Sequence, residues 1–352
     1  MNQKHELAPL LALSARIGSD PLFTQGSTGN SSIKLQGCLW IKASGKWMAD
    51  AMDEDILVPL DLSEVQRCVQ QNIDPTERYS SASIETAMHA VFPHRVVLHV
   101  HCVNTIAWAV RQDAPSQLEH QLRGLRWKWI PYVSSGLALA NAIQKALPVF
   151  ARPDVLILGN HGLVVGGEDC ETVEQLLSEV QRRLSVRPRQ AHPADYAALA
   201  DLADRLSWEV PTDDDVHALG TDAISQTVLS GGFLYPCQAI FSNSGNPVLF
   251  RSVPYADRGD RVVNGYCRRP FIVLEGRGVI LNRTTSPAER AMISGLAQVV
   301  QRISASTPIR YLTKAEAPNL SGVVAGRYRE LSNASHGGSP RQVRSHRPIG
   351  PS

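Results

Sequence analysis

Two histidines within a strongly apolar stretch constrain this chain more than any other feature. His99 and His101 lie in VVLHVHCV, whose β-branched residues favour a buried strand. Side chains at positions i and i+2 of a strand point to the same face, so both imidazoles project together. Neutral imidazole is a frequent Zn²⁺ ligand, and catalytic zinc has three protein ligands and one open position. The pattern predicts two metal ligands, although two buried strand histidines can also be hydrogen-bonded core residues.

A third histidine and a carboxylate complete the candidate set. His161 follows the buried strand PDVLIL and is flanked by Gly-Asn and Gly, so the backbone can approach another group closely there. Glu85 lies in SSASIETAMHAVF, where Ser83 is predicted to cap a helix whose first turn holds the glutamate. Such a glutamate usually faces solvent. The apolar residues that follow favour an inward carboxylate, which beside a metal can act as general acid or base.

Two turns rich in glycine and serine precede this set. Asn30 lies in the first turn, GSTGNSS, and Ser44 and Gly45 lie in the second, KASGK. A predicted strand follows the first turn, and another precedes the second turn. If these two strands pair, the two turns meet and present N–H groups and hydroxyls to an anion. The lysines beside the second turn favour phosphate binding. A simple hairpin is the alternative.

Bulk composition indicates a globular protein. The chain has 352 residues, of which 43% are hydrophobic and 19% charged, enough for two domains or one large α/β domain with additions. A formal net charge of +2 gives no sign of nucleic-acid or membrane binding. No signal peptide or membrane span is expected. Six scattered cysteines without CxxC spacing indicate reduced thiols in a cytoplasmic protein.

Three regions are predicted along the chain. Residues 1–190 should form the metal-binding α/β domain. Residues 191–333 should form a smaller C-terminal α/β region, with a helix at 194–206 and strands at 233–241 and 270–274. Residues 334–352, rich in Gly, Ser, Pro and Arg, should be a disordered tail.

A possible internal repeat links the two folded regions. RPFIVLEGRGVIL, which precedes a predicted helix, has the same layout as RPDVLILGNHGLVV. With one deletion allowed, Arg277 stands where His161 stands. The second copy would have lost its metal residue. Recurrence of a common β-turn-β-α unit is the alternative explanation.

The motif set resembles the class II aldolase/adducin family over roughly residues 6–185. The matching elements are Gly29-Asn30-Ser31, Ser44-Gly45, Glu85, His99-x-His101 and Asn160-His161-Gly162. The resemblance implies a three-layer α/β/α sandwich with a mostly antiparallel central sheet, usually assembled as a C4 tetramer. It also implies Zn²⁺, or alternatively Mn²⁺ or Co²⁺, as the cofactor, with the histidines His99, His101 and His161 as ligands. Glu85 would be catalytic, and the substrate phosphate would bind at Asn30, Ser44, Gly45 and Ser83.

Two departures from the family pattern affect the substrate site. Ile84 replaces a second phosphate-binding serine, and the family's late catalytic tyrosines have no clear counterpart. Residues 230–331 resemble the C-terminal part of longer bacterial members, including the aldolase half of fused rhamnulose-phosphate aldolase/dehydrogenases. No dinucleotide-binding fingerprint accompanies that likeness.

The resemblance favours a Zn²⁺-dependent lyase that cleaves a small phosphorylated or polyhydroxylated ketose as a homo-oligomer. A metal-dependent 4-epimerase or decarboxylase on the same scaffold is an alternative. Sugar-phosphate epimerases of the family carry aspartate where this chain has Glu85, whereas decarboxylating relatives keep glutamate. A non-catalytic, adducin-like interaction module is the third alternative, although it has no need of three histidines and an acid.

Overall fold

A computed structural model describes residues 3–147, 152–241, 249–250, 269–313, 315–316 and 323–334. The helices are α1 (Gln3–Gly18), α2 (Leu62–Gln70), α3 (Thr86–Val91), α4 (Val103–Ala109), α5 (Ala114–Gln121), α6 (Leu137–Ala146), α7 (Cys170–Leu184), α8 (Tyr196–Leu206), α9 (Asp214–Thr221), α10 (Ala223–Ser230), α11 (Pro236–Phe241), α12 (Pro287–Val300) and α13 (Val323–Ala334). The strands are β1 (Asn30–Leu35), β2 (Cys38–Lys42), β3 (Leu57–Asp61), β4 (Val96–Val100), β5 (Trp127–Ile130), β6 (Val155–Leu158), β7 (Gly162–Gly167), β8 (Trp208–Glu209), β9 (Leu249–Phe250), β10 (Phe271–Leu274) and β11 (Gly278–Asn282).

A seven-stranded sheet positions the site residues. Its order is β3-β2-β1-β4-β7-β6-β5, and only the β5–β6 pair is parallel. Strand β4 lies between β1 and β7, so Asn30 pairs with His99 and Leu163 pairs with Val100. The predicted mostly antiparallel sheet is confirmed, whereas the three-layer arrangement stays a prediction. This register brings the start of β1 and the turn before β7 to the same end of β4.

Helix α7 shows why the sheet is so deeply buried. Its buried residues Val173, Leu177, Val180 and Leu184 recur at helical spacing and form one apolar face. Asp169 caps the helix by accepting a hydrogen bond from the backbone N–H of Thr172 at 2.7 Å. This face joins the core that also contains apolar residues of β4, β6 and β7. Those three strands are buried along their whole length.

The C-terminal residues build a second, four-stranded sheet of order β8-β11-β10-β9. Helix α12 begins with a capping box formed by Ser286 and Glu289. Its apolar face shares one hydrophobic core with α4, in which Ile106 and Val110 lie with Leu296. The proposed boundary near residue 190 therefore separates two sheets that share a core, and it stays a prediction.

The suspected repeat has the same geometry in both copies. Leu158 pairs with Gly162 across the first hairpin, and Leu274 pairs with Gly278 across the second. The backbone N–H of His161 donates to the Leu158 carbonyl at 3.1 Å, and that of Arg277 donates to the Leu274 carbonyl at 3.0 Å. Arg277 thus occupies the turn position that His161 occupies in the first hairpin. Descent from a duplication stays a prediction.

Some sequence predictions need correction. The predicted strand at 233–241 is wrong, because Pro236–Phe241 is helix α11. Proline suits a first helical turn, and an apolar run buried on all sides carries no period that separates strand from helix. Helix α13 includes residue 334, the first residue of the predicted tail, whereas 335–352 lie outside the described residues.

Two further expectations concern the chain as a whole. Five cysteines are free thiols, as predicted, and Cys267 lies outside the described residues. Within the described ranges, no helix is long and apolar enough to cross a membrane.

Candidate metal centre and active site

Three imidazoles converge at one end of the seven-stranded sheet. His99 lies within β4, His101 lies just beyond its end, and His161 comes from the turn between β6 and β7. Their candidate ligand nitrogens all lie within 4.8 Å of one another. The Nε2 atoms of His99 and His101 are 3.0 Å apart. All three side chains are buried. Residues far apart in sequence therefore form one compact cluster.

The outer ring nitrogens differ in their partners. Nδ1 of His99 donates to the Leu163 carbonyl at 3.0 Å, which leaves the Nε2 lone pair available. Nδ1 of His101 lies 3.4 Å from the Cys237 thiol sulfur. Nδ1 of His161 has no hydrogen-bond partner among the described residues. Outer contacts of this kind orient a histidine that ligates a metal through its other nitrogen.

Glu85 lies against the same cluster. Its Oε1 is 3.2 Å from Nε2 of His161, and its Oε2 is 3.3 Å from Nε2 of His99. Asn30 Nδ2 donates to Oε2 at 2.9 Å, and the Ser135 hydroxyl donates to Oε1 at 3.4 Å. The carboxylate is thus held on both oxygens against two of the three imidazoles.

The backbone around Glu85 differs from the prediction. Helix α3 begins at Thr86, so Glu85 precedes the helix instead of occupying its first turn. The hydroxyl of Ser83 accepts a hydrogen bond from the Glu85 backbone N–H at 3.2 Å. Ser83 therefore forms a local turn with Glu85, as serine often does before a helix. This turn directs the glutamate inward.

Burial and charge set the protonation states of the cluster. Burial alone raises the pKa of Glu85, but the imidazoles, His99 first, outweigh it and hold that pKa well below its usual range. Burial lowers the pKa of His99 to about 4 and that of His101 well below its ordinary value. At neutral pH the Glu85 carboxylate is therefore ionised and the imidazoles of His99 and His101 are neutral, which is the state that metal ligation requires.

A small cavity adjoins the cluster. Its volume is about 40 Å³, which would hold about three water molecules. The predicted phosphate-binding residues Asn30, Ser44 and Ser83 line it together with Glu85 and His161. The fourth such residue, Gly45, has φ +78° and packs against α13. The structure thus brings three of the four together at the cluster, whereas their roles in binding stay predictions.

Comparison with known proteins identifies the family. The profile of the class II aldolase and adducin N-terminal domain matches residues 10–187, slightly more than half of the chain. The chain belongs to this family. The match ends within the segment that follows α7, so the C-terminal sheet lies outside it.

Individual relatives of this class II aldolase/adducin family member are distant. Over 200 residues it is 27% identical to YuxG of Bacillus subtilis, which is named an uncharacterized oxidoreductase. That match covers 49% of this chain and 29% of the relative, so the chain spans less than a third of that protein's length.

The chain is also similar to two solved structures. One is the N-terminal class II aldolase domain of a conserved protein from Thermoplasma acidophilum, which is 20% identical in sequence with a TM-score of 0.46. The match covers 52% of this chain and 94% of the Thermoplasma acidophilum chain. The other is L-fuculose-1-phosphate aldolase from Thermus thermophilus, which is 18% identical in sequence with a TM-score of 0.37. The match covers 50% of this chain and 91% of the aldolase chain.

Sequence reasoning missed a buried network behind the family motif residue Asn30. His89 Nε2 donates to the Asn30 side-chain oxygen, and the Ser32 hydroxyl donates to His89 Nδ1 at 2.7 Å. Burial lowers the pKa of His89 to about 3, so this imidazole stays neutral. The network orients the Asn30 amide so that its N–H groups face Ser83 and Glu85. A histidine four residues after a candidate catalytic glutamate is the signal that could have revealed it.

Lys42 is a second residue at the site whose importance sequence reasoning underrated. It lines the cavity although its side chain is buried, and Nζ donates to the carbonyls of Ser27 at 3.0 Å and Lys46 at 2.6 Å. Burial lowers the pKa of Lys42 to about 7, although the nearby Glu85 carboxylate opposes that shift. A buried amine so close to neutrality can carry a positive charge when an anion enters the cavity.

The donor set fits a divalent cation. Neutral imidazoles suit zinc and other late first-row metals, and three of them with one adjacent carboxylate are typical of a catalytic centre. The ligand nitrogens face one another, and the outer nitrogens of His99 and His101 have their own partners. The site residues therefore fit the metal that the family membership implies.

Proposed function

We propose that this protein is a metal-dependent lyase that cleaves a carbon–carbon bond in a small phosphorylated or polyhydroxylated ketose. The observation that carries the proposal is the buried convergence of three histidines with Glu85 beside one cavity. His99, His101 and His161 would hold the cation, with Zn²⁺ as the best fit. When bound, the cation supplies Lewis-acid polarisation of adjacent carbonyl and hydroxyl oxygens.

Glu85 is the proposed proton carrier. Its carboxylate is ionised at neutral pH and held by Asn30 and Ser135, so it can accept a proton without first rearranging. In retro-aldol cleavage Glu85 would accept the proton of the hydroxyl that becomes the aldehyde carbonyl. It would then return a proton to the carbon that keeps the electron pair of the broken carbon–carbon bond. Burial of the site keeps bulk water from competing for that proton.

The anionic end of the substrate would bind near Lys42, Ser44 and Ser83. These residues line the cavity beside Asn30, and a hydroxyl or an amine can each contact a phosphate oxygen. Ile84, which also lines the cavity, offers no such contact. Ile240 and Tyr328 also line the cavity and would adjoin the bound substrate. We also propose a homotetramer, which light scattering of the purified protein would test.

Glu85→Gln tests the proposed chemistry. Because the amide cannot carry the proton but fills the same space, the variant should bind one metal per chain and lose at least about 100-fold in turnover. Metal content is measured by elemental analysis and turnover with candidate ketose phosphates. Unchanged turnover would remove Glu85 from the mechanism.

The products separate the alternative functions. Two fragments from one ketose phosphate support the lyase, a single isomer supports an epimerase, and loss of carbon dioxide supports a decarboxylase. Failure of the purified protein to bind any divalent metal would instead support an adducin-like interaction module.

A further inference from the structure

We infer that the C-terminal region, which lies outside the family match, is a structural part of the metal centre. In this inference Arg310, acting through Asn160, positions His161, and Cys237 positions His101. The inference rests on the proposed function only in assuming that the three histidines bind a metal.

Asn160 is the first link between the two regions. It directly precedes His161, is fully buried, and has a φ of +51°. Its side-chain N–H groups donate to the carbonyls of Leu234 at 2.8 Å and Arg310 at 2.7 Å. Its side-chain oxygen accepts a hydrogen bond from Arg310 Nη1 at 2.8 Å. Since both ends of the amide are paired, the side chain cannot rotate without leaving buried groups unsatisfied.

Arg310 is itself held in place on several sides. Nη2 donates to Glu316 at 2.6 Å, and the backbone N–H donates to the carbonyl of Val110 at 2.7 Å. The guanidinium also lies 5.3 Å from the ring centroid of Tyr132. The contact with Asn160 is therefore made by a fixed group of the C-terminal region.

His161 depends on this contact more than His99 does. The outer nitrogen of His99 is anchored by the Leu163 carbonyl, whereas that of His161 has no hydrogen-bond partner among the described residues. Apart from the contact of its Nε2 with Glu85, the direction of the His161 ring thus depends on the backbone of its own turn. That turn is held by the Asn160 side chain and by the N–H of Asn160, which donates to the Ala109 carbonyl at 3.0 Å.

Cys237 supports the second histidine. It is buried in α11, with its sulfur 3.4 Å from Nδ1 of His101. If Nε2 of His101 ligates the cation, Nδ1 carries the proton and donates it to sulfur, a weak acceptor. The C-terminal region therefore contacts one histidine directly and the turn of another.

Arg310→Met tests the link to His161. Methionine keeps the length of the side chain but cannot donate to Asn160, so the turn should loosen and Zn²⁺ affinity should fall about 10- to 100-fold. Affinity is measured on the full chain by competition with a chromophoric chelator. The visible spectrum of the Co²⁺-loaded protein should change as well, which a general loss of stability would not cause.

Arg302→Met is the matched control. Arg302 Nε donates to the side-chain oxygen of Asn104 at 2.9 Å, so it also joins the two regions through an Arg–Asn contact. Its hydrogen bonds do not reach the turn that holds His161. We expect its Zn²⁺ affinity to stay within about 3-fold of the wild type, since the outer contacts of the histidines are intact.

Substitutions of Cys237 test the link to His101 independently. Cys237→Ala removes the acceptor and should weaken Zn²⁺ binding by about 10-fold, and Cys237→Ser, which keeps an acceptor, should restore most of that loss. If the Arg310→Met protein does not fold, Zn²⁺ affinity is measured instead for Arg310→Lys and for the two Cys237 variants.

The outcomes are distinguishable. A wild-type protein that binds no metal would overturn the proposed function. A wild-type protein that binds Zn²⁺, with Arg310 and Cys237 variants of equal affinity and unchanged Co²⁺ spectra, would overturn only this inference. Equal losses in Arg302→Met and Arg310→Met would also overturn it, because the effect would then be general.

Discussion

At the scale of single residues, the candidate site depends on glycine, which has no side chain, as much as on the residues whose side chains form the site. A Cβ added to Gly162 would lie 2.6 Å from the Val100 carbonyl oxygen and 3.4 Å from ring atoms of both His99 and His101. The glycine after His161 therefore lets β7 and the histidine pair approach each other. The glycines around His161 were predicted to let the backbone approach another group closely. The contact of Gly162 with β4 is such an approach.

We predict that Gly162→Ala destabilises the protein by about 1–3 kcal/mol, because the added methyl overpacks a buried sheet. Urea unfolding of the metal-free protein measures the change. Gly326→Ala is the control: it lies in α13 with no atom within 4 Å of the added Cβ. It should be neutral or stabilising by up to about 1 kcal/mol. Equal effects of the two substitutions would contradict the packing argument.

Lys42 gives the folded protein a distinctive dependence on pH. Burial lowers its pKa from 10.5 to about 7, so between these values the unfolded chain binds a proton that the folded protein does not. Stability must then rise with pH across this window, by at most about 1.4 kcal/mol per pH unit. Below pH 7 both states are protonated, and this contribution to the slope vanishes.

Lys42→Met should remove that slope. Between pH 7.5 and 9.5, the wild type should gain about 2 kcal/mol of unfolding free energy more than the variant. Lys46→Met, which changes a partly exposed lysine paired with Glu54 at 2.7 Å, should behave like the wild type. Parallel pH profiles for wild type and Lys42→Met would show that Lys42 titrates normally in the folded protein.

At the scale of elements, local pattern predicted several segments well. Helix α8 lies within the predicted helix at 194–206, and β10 lies within the predicted strand at 270–274. The strand predicted at 233–241 differs from the observed helix α11 because the apolar residues of this segment are buried in a large shared core. In such a segment, burial no longer produces a helical period, and only its surroundings decide the conformation.

Helix α13 packs directly on the predicted anion-binding turn. A Cβ on Gly45 would lie 2.7 Å from the backbone carbonyl carbon of Leu331. In the same area the hydroxyls of Ser27 and Ser332 are 2.5 Å apart. The C-terminal helix and the turn after β2 therefore fit only if position 45 has no side chain.

Gly45→Ala should displace α13 from this turn. Hydrogen exchange of residues 323–334 measures the displacement, which should appear as about 10-fold faster exchange, equivalent to about 1.4 kcal/mol. Gly37→Ala is a matched control, since Gly37 has the same φ of +78° but no atom within 4 Å of the added Cβ. Both variants carry the same backbone strain, so faster exchange of α13 in both would exclude the contact as the cause.

At the scale of the whole molecule, the family domain and the C-terminal region are joined through a common core. Apolar residues of α4 lie with those of α9, α10 and α12 in one buried cluster. Cys237, Ile240 and Tyr328 reach the cavity beside the histidines from outside the family match. The cavity is therefore lined by residues of both regions.

The amino-acid sequence by itself determined which residues are candidates for the metal centre, and the resemblance of its motifs to the family implied the mostly antiparallel central sheet. The spacing of His99 and His101 is a local property of a strand, and the glycines around His161 mark a turn. Both features can therefore be recognised from the sequence without knowledge of the tertiary structure. Only the tertiary structure decided that His89 orients Asn30, that Lys42 is buried, and that Cys237 and Arg310 contact the histidines or their turn. These partners lie up to 150 positions apart, and no local period links them, because their proximity arises only when the two sheets pack on a shared core.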